Sequence, residues 1–164
     1  MPQTPIQAAE VLYASMPHGL SPDTLMEYGI EASPEQASRI AREMLSLNLY
    51  WIRSALEASL SQKNADRVFG ELQQSLLKRW QSELGLQGYD PQVYFKEMKE
   101  RRAVYDRVMQ EGGSPVSVCM EAARILEFER AVPTEDRPKL LALFIDLVPV
   151  ETFGEMVAEF DLSG

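Results

Sequence analysis

Five times in this chain, a residue that can cap a helix is followed directly by proline. The pairs are Thr4-Pro5, Ser21-Pro22, Ser33-Pro34, Asp90-Pro91 and Ser114-Pro115. Ser, Thr and Asp side chains accept hydrogen bonds from the free N–H groups of a first helical turn. Proline suits the first helical position because it lacks an N–H group and its φ angle is already helical. The pairs therefore predict five helices with defined starts.

The longest predicted helix begins at Pro34 and extends to about Gln62. Two adjacent apolar stripes cover more than half of its circumference: Ala37, Ile40, Met44, Leu47 and Trp51, and Ala41, Leu45, Leu49, Ile52, Leu56 and Leu60. A narrow face with Arg39, Ser46, Arg53 and Glu57 is predicted to contact solvent. Because a helix that is apolar over most of its surface needs neighbours on several sides, we place this helix at the centre of the fold.

Helical periodicity and Gly/Pro breaks predict further helices at about 5–16, 22–28, 64–80, 91–111, 115–130 and 151–160, with another after Thr134. Asn64 is the predicted cap of its helix, and Gly29 is predicted to end another in a left-handed conformation. Glu97–Arg101 and Arg102–Asp106 are expected ion pairs within one helix. No segment alternates apolar and polar residues as a strand would. The predicted fold is all-α, a single-domain bundle of six to eight helices around residues 34–62.

Charge is distributed unevenly along the chain. The formal net charge is −9, and it divides into −4 for residues 1–62, +2 for 63–107 and −7 for 108–164. An acidic chain is not expected to bind nucleic acid or an anionic membrane surface, since both need clustered Lys and Arg. The segregation instead predicts a basic protein partner for the last third, or contact between the basic middle and the acidic end.

Three further features of the sequence predict the cellular location of the protein. The longest unbroken apolar run, residues 140–145, is far shorter than a membrane span. The first basic residue is Arg39, so the start of the chain does not read as a signal peptide. The one cysteine cannot form a disulfide within the chain. We therefore expect a cytoplasmic protein.

The residue types that most often carry chemistry are few. His18, the one histidine, lies between Pro17 and Gly19 and is predicted to be an exposed loop residue. Cys119 is expected to be a buried thiol. The Glu-x-x-Glu spacing of Glu97 and Glu100 lacks the second acidic motif that a helical magnesium site would need. We therefore predict no catalytic residue, no metal site and no cofactor.

Asn48 lies within the apolar arc of the long helix and allows two interpretations. A buried amide can satisfy a neighbouring helix or fix the packing register. It can also be the polar group of a cavity that binds an apolar small molecule, lined by Met44, Trp51 and Trp80.

Residues 134–164 form a predicted C-terminal helical segment that is both apolar and acidic. Its apolar residues are too many for one helix face, and Met and aromatic residues are favoured at interfaces. We therefore predict that part of this surface closes the core and that part forms a homodimer interface, for which Leu143, Phe144, Leu147, Phe153 and Met156 are the candidates.

Two charged faces are candidates for contact with each other. Glu151, Glu155 and Glu159 follow one another at helical spacing, where like charges are mildly destabilising. Lys96, Lys99 and Arg107 share a face of the helix that begins at Pro91. We predict that these faces meet, within one chain or across a dimer.

Three function classes follow from these patterns. A protein–protein interaction or regulatory module, acting on a partner or on a second copy of the chain, fits best because the charge is segregated and no catalytic motif is found. A helical binder of an apolar small molecule is the second class. An enzyme that uses carboxylates and a divalent metal is the third.

The replacement Asn48→Leu distinguishes the two interpretations of this residue. If Asn48 serves a ligand, binding of an apolar ligand weakens while the free energy of unfolding is unchanged or rises, because a buried amide is costly unless paired. Tryptophan fluorescence during a ligand titration, together with urea unfolding, provides the measurement. A variant that unfolds or changes its oligomeric state contradicts the ligand role.

Overall fold

The computed structural model describes residues 2–86 and 88–162. Its helices confirm the all-α prediction. The helices are α1 Pro5–Ser15, α2 Pro22–Glu27, α3 Pro34–Ser59, α4 Gln62–Arg79, α5 Pro91–Gln110, α6 Pro115–Phe128, a 3₁₀ turn Thr134–Asp136, α7 Arg137–Leu147 and α8 Val150–Ala158. The one extended pairing in the described ranges is an isolated bridge between Gln3 and Leu162, which joins the two ends of the chain.

All five predicted capping pairs are confirmed. Each capping side chain accepts a hydrogen bond from a backbone N–H group of the first helical turn, and each proline occupies the first helical position. Thr4, Ser33 and Ser114 form complete capping boxes, in which the third helical residue bonds back to the cap. Gly29 has a φ of 78°, as predicted for a left-handed helix end.

Helix boundaries differ from the predictions by a few residues. Helix α3 ends at Ser59 rather than at Gln62, since Ser61 begins a new helix and accepts a hydrogen bond from the N–H of Asn64 at 3.2 Å. Ser61, and not Asn64, is therefore the cap of α4. Of the two i,i+4 pairs in α5, Arg102–Asp106 is present at 4.0 Å. Glu97 and Arg101 instead bind residues outside α5.

Helix α3 lies at the centre of the bundle, as predicted. It contacts α2, α4, α5, α6 and α8, while α1 packs on α4 and α7 packs on α6. Ile40, Leu47, Ile52 and Leu56 of α3 are fully buried. Each such side chain contributes about 1.5–3 kcal/mol when it leaves water. Buried residues from all eight helices belong to one hydrophobic cluster.

The face of α3 that was expected to contact solvent is largely covered. Ser46 is 3% exposed, and the side chain of Arg39 is 13% exposed. Helix α5 packs across this face and brings its own charged side chains against it. No helix among the described residues combines the length and apolarity needed to cross a membrane.

The replacement Ser33→Ala removes the cap of the central helix. We expect the free energy of unfolding to fall by about 1 kcal/mol, because the N–H of Gln36 loses its acceptor. Urea unfolding provides the measurement. Ser59→Ala, at the exposed C-terminal end of the same helix, is the control and should change stability by less than about 0.5 kcal/mol. Equal effects of the two replacements would contradict the capping role.

Candidate functional site

A buried carboxylate lies at the crossing of α3 and α5. Glu43 of α3 is 1% exposed. The Nε atom of Arg101 lies 2.9 and 3.1 Å from its two oxygens, and Nη2 of Arg39 lies 3.2 Å from one of them. The hydroxyl of Tyr105 donates a hydrogen bond to the other oxygen. Both oxygens of a desolvated charge are thereby paired, which burial of a charge requires.

The surrounding charges extend this contact to a third helix. Glu129, the residue at the end of α6, binds Arg39 and, at 3.0 Å, Arg101. Glu97 of α5 binds Arg42 at 3.2 Å and lies 3.5 Å from Arg39. We call Arg39, Arg42, Glu43, Glu97, Arg101, Tyr105 and Glu129 the interhelix cluster. Its three carboxylates are balanced by three guanidinium groups, so it joins α3, α5 and α6 without excess charge.

The protonation states in the cluster follow from burial and charge. Desolvation raises the pKa of Tyr105 well above its usual value, and the negative charge of Glu43 raises it further. Burial alone would lower the pKa of Arg101, but Glu43 and its hydrogen bonds raise it above the usual value. Tyr105 therefore keeps its proton and Arg101 keeps its charge. Groups held in one protonation state suit structural pairing better than proton transfer.

A second feature is an apolar strip on the outer surface of α6 and α7. Val116 and Met120 of α6 are 47% and 48% exposed, and Ile145 of α7 is 47% exposed. Val116 and Ile145 line one depression, and Met120 and Leu141 line another, so each depression brings one side chain of α6 beside one of α7. We call Val116, Met120, Leu141 and Ile145 the α6–α7 strip.

The depressions at the two ends of the strip differ in charge. The larger one, about 420 Å³, has mainly apolar walls, with Asp146 and Glu151 as its charged residues. The smaller one, about 240 Å³, is lined by Glu127 and Arg137, which pair with each other at 3.0 Å. The strip therefore has an unbalanced negative end and a neutral end.

Three of the five predicted interface residues lie on the inner side of their helices. Leu143, Phe144 and Phe153 are completely buried within the single chain, so they lie in the part of the segment that closes the core. Their role in a dimer interface stays a prediction. Leu147 and Met156 are half-buried. The reason is helix phase: Leu143 and Phe144 face inward, and Leu141 and Ile145 lie on the outward side of α7.

Asn48 is fully buried, and its Nδ2 atom donates a hydrogen bond to the carbonyl of Met44 at 3.0 Å. Its Oδ1 atom has no partner in the structure. Trp51 contacts the ring of Tyr50, whereas the Nε1 group of Trp80 donates to the carbonyl of Tyr89. The ligand role of Asn48, Met44, Trp51 and Trp80 stays a prediction.

The two predicted charged faces are exposed but do not meet within the chain. Glu151, Glu155 and Glu159 lie on α8, which packs against α3 and α1. Lys96, Lys99 and Arg107 lie on α5. No ion pair joins the two sets in the described ranges 2–86 and 88–162. Contact within one chain is therefore not observed, and contact across a dimer stays a prediction.

His18 and Cys119, two residues of types that often take part in catalysis, contact other parts of the protein instead. His18 is exposed, and its Nε2 atom forms a 2.7 Å hydrogen bond with the carbonyl of Tyr13, on whose ring it stacks. Cys119 is buried, as expected, and burial raises the pKa of its thiol to about 11. The described residues contain no group of three or more His, Cys, Asp or Glu side chains that could hold a metal ion.

Reasoning from the sequence missed both the interhelix cluster and the α6–α7 strip. Two signals could have found them. Arg39 and Glu43 lie one turn apart within the helix whose apolar stripes cover most of its circumference, which indicates a polar contact inside the fold. Val116 and Met120, like Leu141 and Ile145, are apolar pairs at i,i+4 spacing on the side opposite the core positions.

Comparison of this chain with protein-family models, curated proteins and solved structures finds no match.

The replacement Glu43→Gln tests the structural role of the interhelix cluster. We expect the free energy of unfolding to fall by about 3 kcal/mol, because two largely buried guanidinium groups lose their most buried counter-charge and keep only the more exposed Glu97 and Glu129. Glu57→Gln is the control, since Glu57 also binds two arginines but is 37% exposed, and should cost less than about 1 kcal/mol. Urea unfolding of both variants provides the measurement, and similar losses would contradict the assigned role.

Proposed function

We propose that this protein is an interaction module that binds a basic amphipathic helix of a partner protein on the α6–α7 strip. The observation that carries the proposal is the exposure of Val116, Met120 and Ile145, each close to half exposed, on two adjacent helices. Several large apolar side chains exposed on adjacent helices are a mark of interaction sites, and methionine is enriched at interfaces.

The geometry of the strip favours a helical partner. Its four side chains come from two antiparallel helices, with a depression at either end. Amphipathic helices bind such surfaces by placing apolar residues at i, i+3, i+4 and i+7 into the depressions. The 420 Å³ depression has room for a large apolar side chain, and its walls include Val116, Ile145 and Val150.

The charge of the surface favours a basic partner over a second copy of the chain. Asp146 and Glu151 line the larger depression, and residues 108–164 carry a formal charge of −7. Two copies placed strip to strip would bring like charges together, which costs free energy. A Lys or Arg side chain at one end of an apolar helix would instead pair with this end of the strip.

A synthetic peptide of leucine and lysine at amphipathic helical spacing is the probe. We expect it to bind the intact protein and to shift the NMR signals of Val116, Met120 and Ile145. A matched peptide with glutamate in place of lysine should bind at least about tenfold more weakly, because opposite charges at the interface are exchanged for like charges. Fluorescence anisotropy of labelled peptides measures both affinities.

The double variant Met120→Ser with Ile145→Ser should weaken binding of the lysine peptide by about tenfold or more, because apolar area is no longer buried. The chain offers a matched control in Met26→Ser with Ile6→Ser, since those side chains are 54% and 58% exposed and lie on α2 and α1. Equal effects of the two double variants would contradict the site. A concentration-dependent mass that is abolished by Met120→Ser with Ile145→Ser would show a second copy as the occupant instead.

A further inference from the structure

A small cavity lies between α3, α4 and α5, and no residue of α6 or α7 lines it. It has a volume of about 140 Å³. Leu49, Phe69 and Met98, all of them buried, supply its apolar walls. An apolar cavity of about 150 Å³ in another protein is large enough to bind benzene. The cavity therefore has room for an apolar group about the size of a six-membered ring.

The charged residues around this cavity are all cations. Arg53, Lys99 and Arg102 line it, and none of its described lining residues is acidic. The carboxylates that neutralise the two arginines lie elsewhere: Glu57 binds Arg53 at 3.0 Å and Arg102 at 3.2 Å. Glu57 and Asp106 line the neighbouring depression rather than this one. The cavity thus combines apolar walls with positive charge on one side.

The charge that a ligand of this cavity should carry depends on how far nearby carboxylates neutralise the three cations. Arg53 is paired with Glu57 and Asp66, and Arg102 is paired with Glu57 and Asp106. Lys99 has no carboxylate within 4 Å in the part of the chain that the structure describes. Among the described lining residues, Lys99 is therefore the cation without a direct counter-ion, although Glu57, Asp66 and Asp106 together balance the three cations. A single negative charge beside Lys99 suits this balance better than a phosphate or another polyanion.

The polar groups near the cavity fit a carboxylate in particular. The amide of Gln73 lines it and can donate hydrogen bonds, as can the guanidinium groups of Arg53 and Arg102. The thioether of Met98 offers a favourable contact to an aromatic ring. From this arrangement we infer that the α3–α4–α5 cavity binds a small monocarboxylate with a ring-sized apolar body, an aromatic acid in particular.

This cavity is not the one predicted around Asn48. Ser46 and Tyr50 line it, and each lies two residues from Asn48, roughly 200° around α3. Asn48 therefore lies on the far side of α3 from the cavity. The inference concerns a different ligand class and does not depend on the proposed protein-interaction function, because the α6–α7 strip and this cavity share no residue.

Benzoate is the probe for an NMR titration of the intact protein, with benzyl alcohol as its neutral analogue and acetate as a carboxylate without a ring. We expect benzoate to bind with a dissociation constant on the order of 1 mM, since so small a ligand gains limited binding free energy. It should shift the signals of Leu49, Phe69 and Met98. Acetate and benzyl alcohol should each bind several-fold more weakly. Equal binding of benzoate and acetate, or shifts confined to other residues, would overturn the inference.

Two matched pairs of variants test separately the positive charge of Lys99 and the volume of the cavity. Lys99→Gln should weaken benzoate binding by about fivefold, the size of an exposed ion pair, and leave benzyl alcohol unaffected. Its control is Lys96→Gln, an exposed lysine on the same helix that does not line the cavity.

Gln73→Phe should fill the cavity and abolish benzoate binding, whereas Gln74→Phe, at the exposed neighbouring position, should not. If Lys99→Gln and Lys96→Gln behave alike, the anion site is wrong; if Gln73→Phe binds benzoate normally, the cavity assignment is wrong.

Discussion

The buried charge of Glu43 is the interaction on which the arrangement of the three helices α3, α5 and α6 depends. A carboxylate that is 1% exposed is tolerated only when its charge is compensated. Arg39 compensates it from the same helix, and Arg101 and Tyr105 do so from α5. Glu129 then binds both arginines from the end of α6. Desolvation opposes much of the Coulomb attraction within the cluster, so removal of one member costs more free energy than the intact cluster contributes.

Both proposed binding surfaces depend on this arrangement. Helix α5 is held against α3 by Arg101 and Tyr105, and this contact turns Lys99 and Arg102 towards the cavity beside α4. Helix α6 is held at its end by Glu129, so its exposed residues Val116 and Met120 lie beside α7. Polar contacts between the helices therefore influence which side chains lie at the two proposed binding surfaces.

Local residue patterns predicted the helices well because their causes are local. The capping hydrogen bonds at Ser33 and Ser114 span three residues, and proline at the next position needs no distant partner. The central place of α3 followed from its broad apolar surface. The residues of a functional surface were harder to predict from the sequence. Leu143 and Phe144 were candidates for an interface but are buried within the chain, because an excess of apolar residues does not show which of them face outward.

The sequence by itself determined where most helices begin, that the fold is all-α and that α3 lies at its centre, since caps, proline and apolar periodicity act over one or two helical turns. Only the tertiary structure decided the partners of the charged residues. Arg39 was expected in solvent and Glu97 in a pair with Arg101, yet packing of α5 on α3 placed both in the interhelix cluster. The physical reason is that the free energy of a charge depends on every helix around it, and those neighbours come from distant parts of the chain.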